Sequence, residues 1–280
     1  MKMGSSSDKK FATLALDTST AMLAVAITRG GEIVGRSQSL AERNHSVYVS
    51  SRMKELMEEC AVPAADIGIV AVGQGPGSYT GVRIAVTAAK TLAWIWGKPL
   101  VGVSSLEAMA YGFWRERLAT ASAARADAGK VWIVPLMDAR RGQAYCACFS
   151  AAADGEWRRE EADGIRLFEN WFESLEERLA ADPGQTPREI WFLSETGELT
   201  AKLLGGEGRI AVASQGASAS AVRSVCREAA WLLDAAAVGL LAERRFLRGE
   251  ADDVHGFAPN YTQLTEAEAK LNAARTESAR

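Results

Sequence analysis

The sequence predicts an α/β protein built from two copies of one unit. Three observations predict it. Short apolar runs rich in β-branched residues alternate with amphipathic, helix-period stretches along most of the 280 residues. A set of three strands followed by a helix and a strand comes first, and a looser echo of that set restarts after residue 105. Each set also opens on a strand that runs into an aspartate turn, Asp17-Thr18-Ser19-Thr20 in the first and Asp138-Ala139-Arg140 in the second.

Each element has a local reason. Phe11 to Leu16 and Met22 to Thr28 are apolar runs joined by the short Asp/Thr/Ser turn, the pattern of a hairpin. Gly30-Gly31 is a second turn signal, and Glu32 to Ser39 suits a third strand. The period then changes. Over Asn44 to Cys60, Val49, Met53, Leu56, Met57 and Cys60 recur at helical spacing. Ile67 to Gly73 reads as a buried strand, Ser78 to Trp96 as a long apolar helix after a glycine-rich loop, and Pro99 to Val103 as a short strand.

In the second half, Leu106 to Leu118 reads as helix and Ala119 to Gly129 as a surface excursion. Val131 to Met137 and Gln143 to Phe149 are strands, Glu169 to Ala181 an amphipathic helix, and Ile190 to Leu193 a strand. Val222 to Arg248 is expected to be helical for most of its length. The expected organisation is a disordered tail over residues 1–10, a first lobe over 11–105, and a second lobe over 106–280 carrying a C-terminal helix and tail.

Composition narrows the function. Hydrophobic residues make up 48% and charged residues 24%, ordinary for a globular protein. A formal net charge of -3 argues against a broad basic surface that grips nucleic-acid phosphates unaided. No apolar stretch is long enough to span a bilayer, and the first ten residues have no apolar core, so the chain reads as cytoplasmic. Cys60, Cys146, Cys148 and Cys226 have no metal-ligand spacing. The only histidines, His45 and His255, form no ligand set, so no metal is expected.

Three features carry candidate chemistry. Asp17, Thr18 and Ser19, with Asp138 in the matching turn, place a carboxylate and hydroxyls where a magnesium-phosphate group could be held, although Asp and Ser/Thr are also ordinary turn residues. The loop and helix start containing Gly75, Gly77, Ser78, Thr80, Gly81 and Arg83 lacks the Lys-Ser/Thr pair of a Walker loop. Its chemistry favours a structural turn, with Ser78 or Thr80 as the helix N-cap. On the helix that follows, Arg83, Thr87, Lys90 and Thr91 form one narrow polar strip, leaving more apolar surface than one buried stripe requires. Within it, Ala85, Ala89 and Ala93 form a small-residue row that suits close packing on another helix or on the chain's own sheet.

Leu14-Ala15-Leu16-Asp17-Thr18-Ser19-Thr20 and Gly75-Pro76-Gly77-Ser78-Tyr79-Thr80-Gly81-Val82-Arg83-Ile84 resemble segments of the TsaB (YeaZ) family. Val101-Gly102-Val103-Ser104-Ser105-Leu106, Asp138-Ala139-Arg140 with Tyr145, and Pro259-Asn260-Tyr261 followed by Glu266-Ala267-Glu268 extend the resemblance in order. It implies the actin-like ATPase (ASKHA) fold of two duplicated α/β lobes. It also implies a scaffold subunit that acts with a TsaD homologue and a TsaE homologue in adding a threonylcarbamoyl group to adenosine beside the anticodon.

The TsaD paralogue carries a His-x-x-x-His metal pair in the first helix. Here His45 is followed four residues later by Val49, so the resemblance implies a non-catalytic chain. Nucleotide-binding members of the fold carry a glycine after the aspartate of each phosphate turn, and neither turn has one here. The adenosine turn is represented only by Ser194-Glu195-Thr196-Gly197. No cofactor is therefore expected on the chain alone, with ATP or ADP entering only in the complex and tRNA only through it. The family pairs with itself and with TsaD through its first two helices. That makes Met53, Met57, Ala85, Ala89 and Ala93 the interface candidates and a homodimer an alternative assembly. A small-molecule kinase of the same fold and a peptidase are the competing functions; the first wants intact phosphate turns, the second a nucleophile or a metal pair.

Overall fold

A computed structural model describes residues 11–40, 45–119, 129–140, 143–152, 154–167, 177, 187–197 and 226–262. The expected terminal tails, most of the 119–129 excursion and the Glu169–Ala181 helix apart from Glu177 lie outside the described residues. The chain divides into two units, one of residues 1–113 and 232–259 and the other of 114–231 and 260–280.

In the first unit the strands are β1 (Ala12–Asp17), β2 (Met22–Arg29), β3 (Glu32–Leu40), β4 (Ile67–Gly73) and β5 (Leu100–Val103), in sheet order β3-β2-β1-β4-β5. β1 is antiparallel to β2 and parallel to β4, and β4 is parallel to β5. The second unit contains β6 (Val131–Arg140), β7 (Gln143–Ala151), β8 (Trp157–Leu167), β9 (Glu189–Ser194) and β10 (Cys226–Ala230), ordered β10-β9-β6-β7-β8. Read outward from β1 and from β6, the two sheets have the same order and the same strand directions. This repeated order is the duplicated actin-like ATPase fold.

The helices of the first unit are α1 (His45–Glu59), α2 (Tyr79–Trp96), α3 (Ser105–Phe113) and α4 (Ala235–Leu247). α1 and α2 pack on the first sheet through Val49, Met53, Leu56, Val82 and Val86, against Leu14, Leu16, Leu23 and Val70. Each large apolar side chain buried this way contributes roughly 1.5–3 kcal/mol. Ser78 caps α2, its side chain accepting from Gly81 N at 3.3 Å, and Gly97 ends the helix with a left-handed φ of 60°. Among the described residues no helix is long and apolar enough to cross a membrane.

Two regions differ from the sequence expectation. The helix expected over Val222 to Arg248 is a strand followed by a shorter helix. Cys226–Ala230 pairs in parallel with β9, and Asp234 starts α4 by accepting from Ala236 N at 2.8 Å. The Cys-Arg-Glu-Ala-Ala sequence has no strand preference of its own, and the free edge of β9 supplies what propensity does not. α4 also belongs to the first unit, not to the end of the second lobe. Its Gly239 lies against Thr28 and Ala15, and its buried Glu243 accepts from the Thr28 hydroxyl and, at 2.7 Å, from Gly31 N. The boundary expected at 105/106 accordingly falls after Phe113, because α3 packs beside α4.

Candidate functional site

Two places in the first unit collect the candidate residues: the aspartate turn with its glycine-rich neighbour, and the surface shared by α1 and α2.

Asp17 ends β1 and is 1% exposed. Its Oδ1 accepts from Ser19 N and Ser19 Oγ, both at 2.6 Å, and its Oδ2 accepts from Ser105 Oγ at 2.6 Å. Ser105 Oγ in turn accepts from Gly75 N at 3.1 Å, which ties the glycine-rich loop to the same carboxylate. Thr18 is fully buried, and its hydroxyl donates to Gly81 O at 2.6 Å. Ser78 N donates to Ser19 O at 2.6 Å. The packing is so close that a Cβ on Gly73 would overlap the Asp17 carboxylate, and one on Gly81 the Thr18 carbonyl. Glycine is needed at 73 and 81 for space, with the backbone of the loop lying on the turn.

This arrangement does not fit a magnesium-phosphate group. Both carboxylate oxygens of Asp17 already accept strong hydrogen bonds, and the surrounding space is filled by the chain's own loop. Thr80 and Arg83 do not reach into the turn. Both are exposed, and the Arg83 guanidinium lies 3.8 Å from the centre of the Tyr79 ring. In the second unit, Asp138 makes the same local turn, its Oδ1 accepting from Arg140 N at 2.7 Å, but Asp138 is exposed. Gly197, φ 74°, donates its N–H to Ser194 Oγ at 3.1 Å, closing the Ser194–Gly197 turn on itself.

The α1–α2 surface is different in kind. Met53, Met57, Val62, Ala88, Leu92 and Trp96 line a groove of about 750 Å³ between the two helices. Lys54 and Glu58 also line it and approach each other at 3.7 Å, while Trp94 and Ile95 on α2 are 66% and 65% exposed. Two large apolar side chains held this far into solvent, on a helix that also walls an apolar groove, mark a contact surface.

The interface assignment of Ala85, Ala89 and Ala93 is corrected here. All three are buried beneath α2, where their small side chains let the helix lie close to β4 and β1. They form the inner face of α2. Beside that inner face, Ala88, Leu92 and Trp96 are turned to the groove, and Trp94 and Ile95 are the exposed apolar side chains of α2; the small-residue spacing alone could not distinguish these faces. Met57, half-buried, lines the groove, and Met53 touches it from the core, where it is 5% exposed.

The catalytic alternatives find no machinery among the described residues. Val49, where the TsaD metal pair would have its second histidine, is packed in the apolar core, and among the described residues no group of three His, Cys, Asp or Glu side chains could hold a metal. Cys146 is buried, which pushes its thiol above the usual range, away from a reactive thiolate.

A family model described as "TsaD: tRNA N6-adenosine threonylcarbamoyltransferase" matches residues 33–271. The TsaB protein of Bacillus subtilis, a "tRNA threonylcarbamoyladenosine biosynthesis protein", is 32% identical over 263 residues, covering 92% of this chain and 96% of that one. A tRNA N6-adenosine threonylcarbamoyltransferase of Anaeromyxobacter dehalogenans is 46% identical over only 68 residues, 24% of this chain and 20% of its own. In structure, a Pseudomonas aeruginosa protein described as similar to peptidase YeaZ superposes with a TM-score of 0.66 at 24% identity, over 90% of this chain and 100% of that one. With a relative matched along nearly its whole length, the chain belongs to the TsaB (YeaZ) family, which shares its sequence pattern with TsaD.

Proposed function

We propose that this chain is a non-catalytic scaffold and activator in the assembly that adds the threonylcarbamoyl group to adenosine beside the anticodon of tRNAs. Its direct partner is a TsaD homologue, with a TsaE homologue joining the assembly. The observation that carries this reading is the apolar α1–α2 groove, together with the exposed Trp94 and Ile95 of α2, on a family member whose aspartate turn is filled by its own loop. The groove is a protein-docking surface, and a second copy of the chain uses it when the partner is absent. The work is cytoplasmic, and tRNA is met only through the complex, in keeping with the net charge of -3.

ATP or ADP acts in the complex, and the isolated chain holds neither. Mixed with its TsaD homologue, the chain is expected to co-migrate as one species in size-exclusion chromatography. Magnesium-ATP at millimolar concentration is expected to leave the melting temperature of the chain alone unchanged. Separate migration would remove the scaffold reading; a saturable thermal shift abolished by Asp17→Asn would restore the kinase alternative.

A further inference from the structure

We propose that Thr18 is a positioning residue for α2: the aspartate turn no longer serves a ligand but sets the angle at which α2 presents its outer face. The proposal rests on the reading of that face as the partner surface.

The turn touches the first turn of α2 at two points three residues apart. The buried Thr18 hydroxyl donates to Gly81 O at 2.6 Å, and Ser19 O accepts from Ser78 N at 2.6 Å. Neither Gly77 nor Gly81 has space for a side chain, because the carbonyl oxygens of Ser19 and Thr18 occupy it. Ser78 therefore has two tasks, since its side chain also caps Gly81 N. Two hydrogen bonds to backbone groups of one helical turn restrain the tilt of the helix at its start.

The tilt matters because α2 is a lever. Its 18 residues span about 27 Å, so a tilt of about 5° at Ser78 displaces the far end by about 2 Å. Trp94, Ile95 and Trp96 stand at that far end. A packed interface does not tolerate such a shift. The carboxylate network keeps the near end rigid. Asp17 holds Ser19 on one side and Ser105 on the other, and Ser105 holds Gly75 at the start of the loop that leads into α2.

The test is a titration of the full-length chain against its TsaD homologue with three variants. Thr18→Val keeps the shape and removes the hydroxyl, Thr18→Ser restores it, and Ile95→Asp alters the outer face without touching the turn. Thr18→Val is expected to keep its far-ultraviolet circular dichroism and bind at least about tenfold more weakly, with Thr18→Ser close to wild type. Wild-type affinity in Thr18→Val with loss of binding in Ile95→Asp would overturn the positioning role and leave the partner face standing. Wild-type affinity in Ile95→Asp would overturn the partner face and this proposal together. Hydrogen exchange on the wild-type chain gives a reading that needs no variant. The Ser78 amide is expected to exchange as slowly as those of β1, and exchange within seconds would overturn the proposal.

Discussion

Asp17→Ala is expected to lower stability by about 3–5 kcal/mol and the melting temperature by about 10 °C. The carboxylate is 1% exposed and accepts three hydrogen bonds, from Ser19 N, Ser19 Oγ and Ser105 Oγ. Alanine leaves those three donors buried without an acceptor and opens a void where Gly73 closes on the side chain. A buried donor left unsatisfied costs about 1–3 kcal/mol, and three in one network act together. Thermal and urea unfolding check the magnitude. A carboxylate kept for a phosphate ligand behaves oppositely: its removal costs ligand affinity and leaves the ligand-free fold as stable as before.

Ala88→Arg and Ala89→Arg, adjacent substitutions of the same kind, are expected to have opposite consequences. Ala89 is fully buried beneath α2, and an arginine there must push α2 off the sheet or bury an unpaired charge. Either costs about 4 kcal/mol or more, enough to unfold much of the first unit. Ala88 is half-buried on the wall of the groove, where an arginine can extend into solvent. Ala88→Arg is expected to melt as wild type and to bind its TsaD homologue about a hundredfold more weakly or worse. Circular dichroism, thermal melting and titration separate the two. A folded Ala89→Arg variant that loses only its partner would move the Ala85–Ala93 row back to the interface.

Much of the first unit was legible in the sequence because β1, β2, β4 and β5 are buried on both faces and its helices are strongly periodic. Ile67–Gly73 stands at the residues its apolar run indicated, and α2 begins after the Ser78 cap. The second unit was less legible for a physical reason. β8, Trp-Arg-Arg-Glu-Glu-Ala-Asp-Gly-Ile-Arg-Leu, is a charged edge strand with no buried run to betray it, held by pairing with β7. β10 and the placement of α4 depend on contacts with chain segments far away in sequence. At the site, the spacing of the glycine loop did not reveal Ser105. That residue is 88 positions from Asp17, and only the fold brings its hydroxyl to the carboxylate. The outer face of α2 was visible as an excess of apolar residues. Which stripe faced inward required the sheet.

The most direct test of the scaffold account is the rate of tRNA threonylcarbamoylation by the TsaD and TsaE homologues, reconstituted with no addition, with the wild-type chain, and with Ala88→Arg. The account predicts that the wild-type chain raises the rate at least about tenfold, that Ala88→Arg fails to do so while remaining folded, and that the chain alone modifies no tRNA. Full stimulation by Ala88→Arg, or modification by the chain alone, would contradict it.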